Sequence, residues 1–247
     1  MGAGSGSRIV IFDTDGTLVD SRRVIIDAVA EGLRDTYRHF ALPVADPDRE
    51  RIALAMGLPS TAFFRTAFAP ETVPHHLRAP FAGEFEVRAT RAELAALRRG
   101  ESLLYAHAEA TLAALRQEGY ELALFSNAGQ LYFQAVIEVH RLHRWFSRTL
   151  SLEMAVRRRL ARDKVGMVRF LARDRDEVSV VGDRSHDIEA GRAVGAVTVA
   201  CRYGFGEPAE LAMADHIIDS LTELPHLVMA ATRCGVENCD RRGTSQD

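Results

Sequence analysis

The 247-residue, 27.3 kDa chain is 47% hydrophobic and 26% charged, a globular composition with room for one large domain or two smaller ones. Its formal charge of −3 and pI of about 6.3 give no electrostatic reason to expect nucleic acid or an anionic membrane as partner. No apolar run approaches the roughly 18–20 residues of a membrane span. "MGAGSGS" (1–7) lacks the features of a secretory signal, and three cysteines form no disulfide framework, so the expected location is the cytoplasm.

In chain order, "RIVIF" (8–12) comes first, a continuous apolar run that predicts a strand buried on both faces. From Ser21 to Arg99 the patterning is helical. Ile25, Val29, Leu33, Tyr37 and Phe40 form one apolar stripe, and prolines at 43, 47, 59, 70, 74 and 80 punctuate shorter helices. Asp20 and Ser21 are the expected caps of the first of these helices. Leu112, Leu115 and Arg116 then lead through Gly119 to a second strand, "ELALF" (121–125). Leu131, Ala135, Val139 and Leu142 step at helical spacing after it, and Val165, Val168, Leu171 and Ala172 do so before a third strand, "VSVV" (178–181). "AVTVA" (196–200) is a fourth, and "RTLSL" (148–152) and "DHIID" (215–219) are further candidates.

Strands alternating with helices predict an α/β fold with a doubly wound parallel sheet. Residues 8–20 and 100–230 are expected to form this core domain, with 21–99 an inserted all-helical domain. The polar, unpatterned segment 231–247 is expected to be a disordered tail carrying Cys234 and Cys239 as free thiols, while Cys201 is expected to be a buried one.

In an open parallel sheet, ligands bind beyond the carboxyl ends of the strands. Asp13, Asp15, Gly16 and Thr17 follow the first run, Ser126 and Asn127 the second, and Asp183 and Asp187 the third, with Lys164 opening the helix that leads into the third. Each has a plainer reading as a turn, a helix cap or a solvated charge. A calcium loop aligned on Gly16 fails, because Ile11 and Arg22 fall at its first and last ligand positions. Lys164 is the only lysine among 31 basic residues. Either chance left it there, or the position needs a compact ammonium that a planar guanidinium cannot replace.

"FDTDGTLVDS" (12–21), "LFSNAG" (124–129), Lys164 and "GDRSHDIEAG" (182–191), in that order, resemble the four motifs of the haloacid dehalogenase superfamily, in its phosphatase branch with a helical cap. "RYGFGEPAEL" (202–211) is similar to a glycine-rich turn of phosphoglycolate phosphatase-like members. The third motif departs from the frequent Lys-Pro, since Val165 follows Lys164. The resemblance covers nearly the whole chain and implies a Rossmann-like core with a helical cap. It implies hydrolysis of a small phosphate ester, phosphoglycolate being the substrate it points to, by a monomer or homodimer. Asp13 would be the nucleophile, Asp15 the general acid and base, and Lys164 the third-motif cation. Ser126 would bind phosphate, with Asn127, Gly16 and Thr17. Mg²⁺ would be held by Asp13, the main-chain carbonyl of Asp15 and Asp183, with Asp187 nearby or acting through water.

A phosphomutase and a catalytically silent binding module stay open as alternatives. "MGLPS" (56–60) resembles a cap loop that faces the site, and its lack of charge argues against a mutase. Arg65, His75, His76, Arg88 and Arg91 are candidate contacts for an anionic substrate tail, or a solvated helix face. "RRRLAR" (157–162) reads as a solvated face.

Overall fold

Every residue of "RIVIF" after Arg8 is buried, and the run forms β1 (Arg8–Phe12) in a computed structural model that describes residues 7–229. The expected tail, with Cys234 and Cys239, lies outside the described residues. The chain continues through β2 (Val19–Asp20), α1 (Arg22–His39), α2 (Arg49–Ala55), α3 (Ser60–Ala67), α4 (Arg78–Arg98) and β3 (Leu103–Leu104). Then follow α5 (Ala108–Gln117), β4 (Glu121–Ser126), α6 (Gln130–Val139), β5 (Arg148–Ser151), α7 (Leu152–Arg157), α8 (Lys164–Ala172) and β6 (Glu177–Gly182). The last elements are α9 (Ser185–Arg192), β7 (Val197–Cys201), α10 (Pro208–Leu211) and β8 (His216–Ile218).

Six of the strands form one parallel sheet in the order β5-β4-β1-β6-β7-β8. Successive side chains of a strand point to opposite faces, which divides the core into two layers. Ile9 and Ile11 pack with Ala123, Phe125 and Val180 and with Met167, Val168 and Leu171 of α8. Val10 and Phe12 pack with Leu122, Leu124 and Val181 and with Leu112 and Leu115 of α5. Both faces of β1 are therefore covered by helices, which is why its sequence shows no polar alternation. Cys201 is buried at the end of β7 as a free thiol.

The four helices α1–α4 lie between β2 and β3, which pair antiparallel, Val19 opposite Leu104 and Asp20 opposite Leu103. The predicted stripe of α1 is realised in the burial of Ile25, Val29, Leu33 and Tyr37. An aromatic cluster of Tyr37, Phe40, Phe64, Phe68, Phe81 and Phe85 joins α1, α3 and α4, with ring centroids 5.0 to 6.1 Å apart.

The helix expected after β4 is α6, and of the residues that mark it Leu142 is fully buried and Ala135 packs against the core. Tyr132, Phe133 and Val136 are its buried residues, whereas Leu131 is 65% exposed and Val139 37% exposed. Among the described residues no helix is long and apolar enough to cross a membrane.

Candidate active site

The chain adds β4 and then β5 on one side of β1, and returns to add β6, β7 and β8 on the other. The carboxyl ends of β1, β4 and β6 thus meet where the winding reverses, the place where open α/β sheets leave a crevice. Asp13 directly follows β1, Ser126 ends β4, and Asp183 directly follows β6. All three are buried, and so are Lys164 and Asp187.

Lys164 is the first residue of α8, a helix capped by Asp163, whose carboxylate accepts from Gly166 N at 2.7 Å. A cation at the amino end opposes the helix dipole, so helix stability does not account for its place. Its ammonium instead donates to Asp13 Oδ1 at 2.7 Å and to Asp187 Oδ1 at 2.5 Å. The Phe125 ring lies 4.8 Å away from it. Burial works against the charged ammonium, but the two carboxylates outweigh it and hold Lys164 above the ordinary lysine range.

Asp183 accepts from Thr17 Oγ1 at 3.0 Å through Oδ1 and from Phe205 N at 2.7 Å through Oδ2. Two glycines make room for it. Gly16 has φ +83°, and a Cβ there would lie 2.3 Å from Asp183 Oδ2. A Cβ on Gly204 would lie 2.3 Å from Asp183 Cβ. Gly16→Ala adds left-handed strain to a clash with a buried carboxylate, and is expected to destabilise the fold by about 2–4 kcal/mol in urea denaturation. A loss below about 0.5 kcal/mol would show that Asp183 moves aside freely.

Carboxylate oxygens of Asp13, Asp183 and Asp187 all lie within 4.8 Å of one another. Burial, and the neighbouring carboxylates, push Asp13 and Asp183 well above the usual aspartate range, against the pull of Lys164. Three buried acids facing one ammonium leave an excess of negative charge. Hard oxygen donors around that excess suit a divalent cation such as Mg²⁺. Asp15, whose main-chain carbonyl is the group expected at the metal, has its carboxylate outside this triplet. Oδ1 accepts from Ser21 Oγ at 2.6 Å and from Tyr132 Oη at 2.8 Å. Burial raises the pKa of Asp15, and these two hydrogen bonds oppose the rise.

A cavity of about 530 Å³ opens over this cluster, lined by Asp13, Asp15, Ser126 and Lys164 at its base. Met56, Gly57, Leu58 and Ser60 line it too, so the "MGLPS" loop faces the site. Of the five candidate cationic contacts only Arg91 lines it. Arg88 instead pairs with Glu84 at 2.8 Å, and Arg98, not anticipated, joins Arg91.

The expected phosphate-binding group is only partly assembled. Ser126 lines the cavity and accepts from Ala128 N at 3.0 Å. Asn127 also lines it, but its amide donates to Gly57 O at 2.8 Å and so ties the loop to the sheet. The hydroxyl of Thr17 is engaged with Asp183, and Gly16 serves the same carboxylate. Ser21 was expected to cap α1, yet makes no side-chain capping bond, because its hydroxyl goes to Asp15.

The family model described as haloacid dehalogenase-like hydrolase matches residues 10–201. The chain belongs to the haloacid dehalogenase-like hydrolases. It is 26% identical over 243 residues to the Dickeya dadantii protein named "Probable phosphatase IndB", covering 94% of this chain and 99% of the relative. It is 28% identical to the phosphoglycolate phosphatase of Shigella boydii, over 88% of this chain and 90% of the relative. Among solved structures, CbbY from Rhodobacter sphaeroides in complex with phosphate has the same fold, with a TM-score of 0.67 at 19% identity over 88% of this chain and 96% of that one.

Three residues around the site of this hydrolase carry no sequence signal: Tyr132, Glu93 and Glu153. Glu93 lies on α4, only 6% exposed, and lines the cavity. Burial, with the charge of Asp15, raises its pKa from 4.5 to about 8. Between those values the folded chain holds a proton that the unfolded chain has lost. Stability that is complete below about pH 4.5 is therefore lost as the pH rises through about 8, by at most about 1.4 kcal/mol per pH unit. Glu93→Gln, neutral throughout, escapes this slope. Its unfolding free energy is expected to gain on that of the wild type steadily from about pH 5 to about pH 8. A pH-independent difference in parallel denaturation curves would contradict the assignment.

Proposed function

We propose that this hydrolase is a Mg²⁺-dependent phosphomonoesterase working through an aspartyl-phosphate on Asp13. The observation that carries the reading is the buried set Asp13, Asp183 and Asp187, with Lys164 bridging two of its members at the floor of a ligand-sized cavity. Asp13, Asp183 and Asp187, with the main-chain carbonyl of Asp15, are assigned to hold Mg²⁺. When bound it neutralises phosphoryl charge that the acidic cluster would otherwise repel.

The Asp13 carboxylate attacks phosphorus while the ester P–O bond breaks, and Asp15 gives its proton to the departing alkoxide. A water then attacks the aspartyl-phosphate and Asp15 takes its proton, which releases inorganic phosphate and regenerates both groups. Phosphoryl transfer asks little of the nucleophile beyond alignment and charge compensation, so a buried carboxylate suffices. Lys164 keeps Asp13 oriented and compensates its charge, and Ser126 is assigned a phosphoryl oxygen. Burial favours the protonated form of Asp15 and outweighs the bonds from Ser21 and Tyr132, which favour the ionised form, and this net rise suits the proton-donating task. The uncharged loop Met56, Gly57, Leu58 and Ser60 offers no cation for a second phosphate, which favours hydrolysis over a mutase reaction.

The test is p-nitrophenyl phosphate turnover with Mg²⁺ and with EDTA, together with acid quenching and peptide mass spectrometry. A phosphate adduct on the peptide bearing Asp13, and loss of turnover in EDTA, are expected. Undiminished turnover in EDTA, or an adduct elsewhere, would overturn the reading.

A further inference from the structure

The walls of the cavity differ in character from its floor. Ile25, Phe63, Phe64 and Leu94 line it with apolar surface, and so do Leu131 and Val87, which are 65% and 52% exposed. A volume of about 530 Å³ falls within the roughly 300–1,000 Å³ of sites that enclose drug-sized ligands. A two-carbon acid tail would leave most of that space as water against hydrocarbon, with no gain from burial.

Electrostatics points the same way. Glu86 and Glu153 also line the cavity, and a carboxylate tail would sit beside them. The opposing charges, Arg91 and Arg98, are on exposed residues, where water screens them.

Glu93 adds a specific feature. Glu93 is only 6% exposed, yet it lines the cavity. Held protonated up to about pH 8, it offers both a donor and an acceptor toward the cavity. An amide or lactam edge complements that pair of groups.

We propose that the alcohol this enzyme releases is a bulky, uncharged group whose amide-like edge is bound by Glu93, and not a short carboxylate such as glycolate. The inference rests on the phosphatase reading above.

Three alkyl monoesters test it: 4-carbamoylbenzyl phosphate, 4-carboxybenzyl phosphate and phosphoglycolate, with benzyl phosphate as reference. The kcat/KM for the carbamoyl ester is expected to exceed those for both carboxylates at least about tenfold, the worth of about 1.4 kcal/mol. Dissociation constants measured calorimetrically with the Asp13→Asn variant should follow the same order. Glu93→Leu should lower kcat/KM for the carbamoyl ester about tenfold more than for benzyl phosphate, while Glu93→Gln, which keeps a donor and an acceptor, retains the preference. Phosphoglycolate matching or surpassing the carbamoyl ester would overturn the proposal, as would an equal loss on both esters in Glu93→Leu. If no ester releases phosphate, the phosphatase reading fails, and the calorimetric order still decides the preference for the tail.

Discussion

Asp13→Asn is expected to lower kcat for phosphate release by about 10⁴-fold or more, the scale on which loss of a nucleophile is felt. The carboxamide keeps the shape of the side chain, and its oxygen can still accept from the Lys164 ammonium, now 2.7 Å from Asp13 Oδ1. What disappears is the charge and lone-pair strength that bond formation to phosphorus requires. The fold should survive, because the substitution relieves like-charge repulsion: Asp183 and Asp187 both act to raise the pKa of Asp13. Thermal unfolding without added metal should show a melting temperature equal to or above that of the wild type. Residual activity above about 1% of wild type in a freshly sequenced preparation would point to another nucleophile.

The second large effect is at Lys164. Lys164→Arg should cost on the order of 10²–10³ in kcat, as loss of one well-placed electrostatic contact does. The ammonium is confined between Asp13 Oδ1, Asp187 Oδ1 and the face of Phe125. A planar guanidinium cannot place a single compact charge there without displacing one of the three. Lys164→Met removes the charge altogether and leaves the acids unpaired in a buried site, a loss of about 3–5 kcal/mol at neutral pH. The sign of its pH dependence follows. Without the ammonium, the folded pKa values of Asp13 and Asp183, already raised, rise further, so the folded variant gains stability as the pH falls and loses it as the pH climbs. Urea melts of Lys164→Met at about pH 5 and about pH 8 check this. Equal stability at both would remove the electrostatic account.

What the sequence revealed divides along physical lines. Strands buried on both faces announce themselves as unbroken apolar runs, so β1, β4, β6 and β7 were legible, and the residues at their carboxyl ends with them. Lys164 stood out against a background of arginine. The pairing of β2 with β3 was not legible, because two residues show no period. The helix α6 was legible from its spacing but its facing was not: the aromatic pair Tyr132 and Phe133 took the core and left Leu131 and Val139 exposed. Ser21 was read as a cap from local preference and Thr17 as a phosphate ligand from the resemblance, yet their hydroxyls answer to Asp15 and Asp183. Glu93 carries no pattern at all. Its character arises only when α4 is laid over the site.

Ser21 stands where the chain leaves the sheet for the helices, at the very start of α1, and its hydroxyl ends on the carboxylate assigned to carry the proton. Were those helices to tilt so that the bond stretched, the carboxylate would hold a proton more tightly. Linkage makes the relation reciprocal: a proton arriving on Asp15 loosens the seat of the helices by the same free energy. The posture of the insertion and the acidity of the group beneath it are joined through that one hydroxyl.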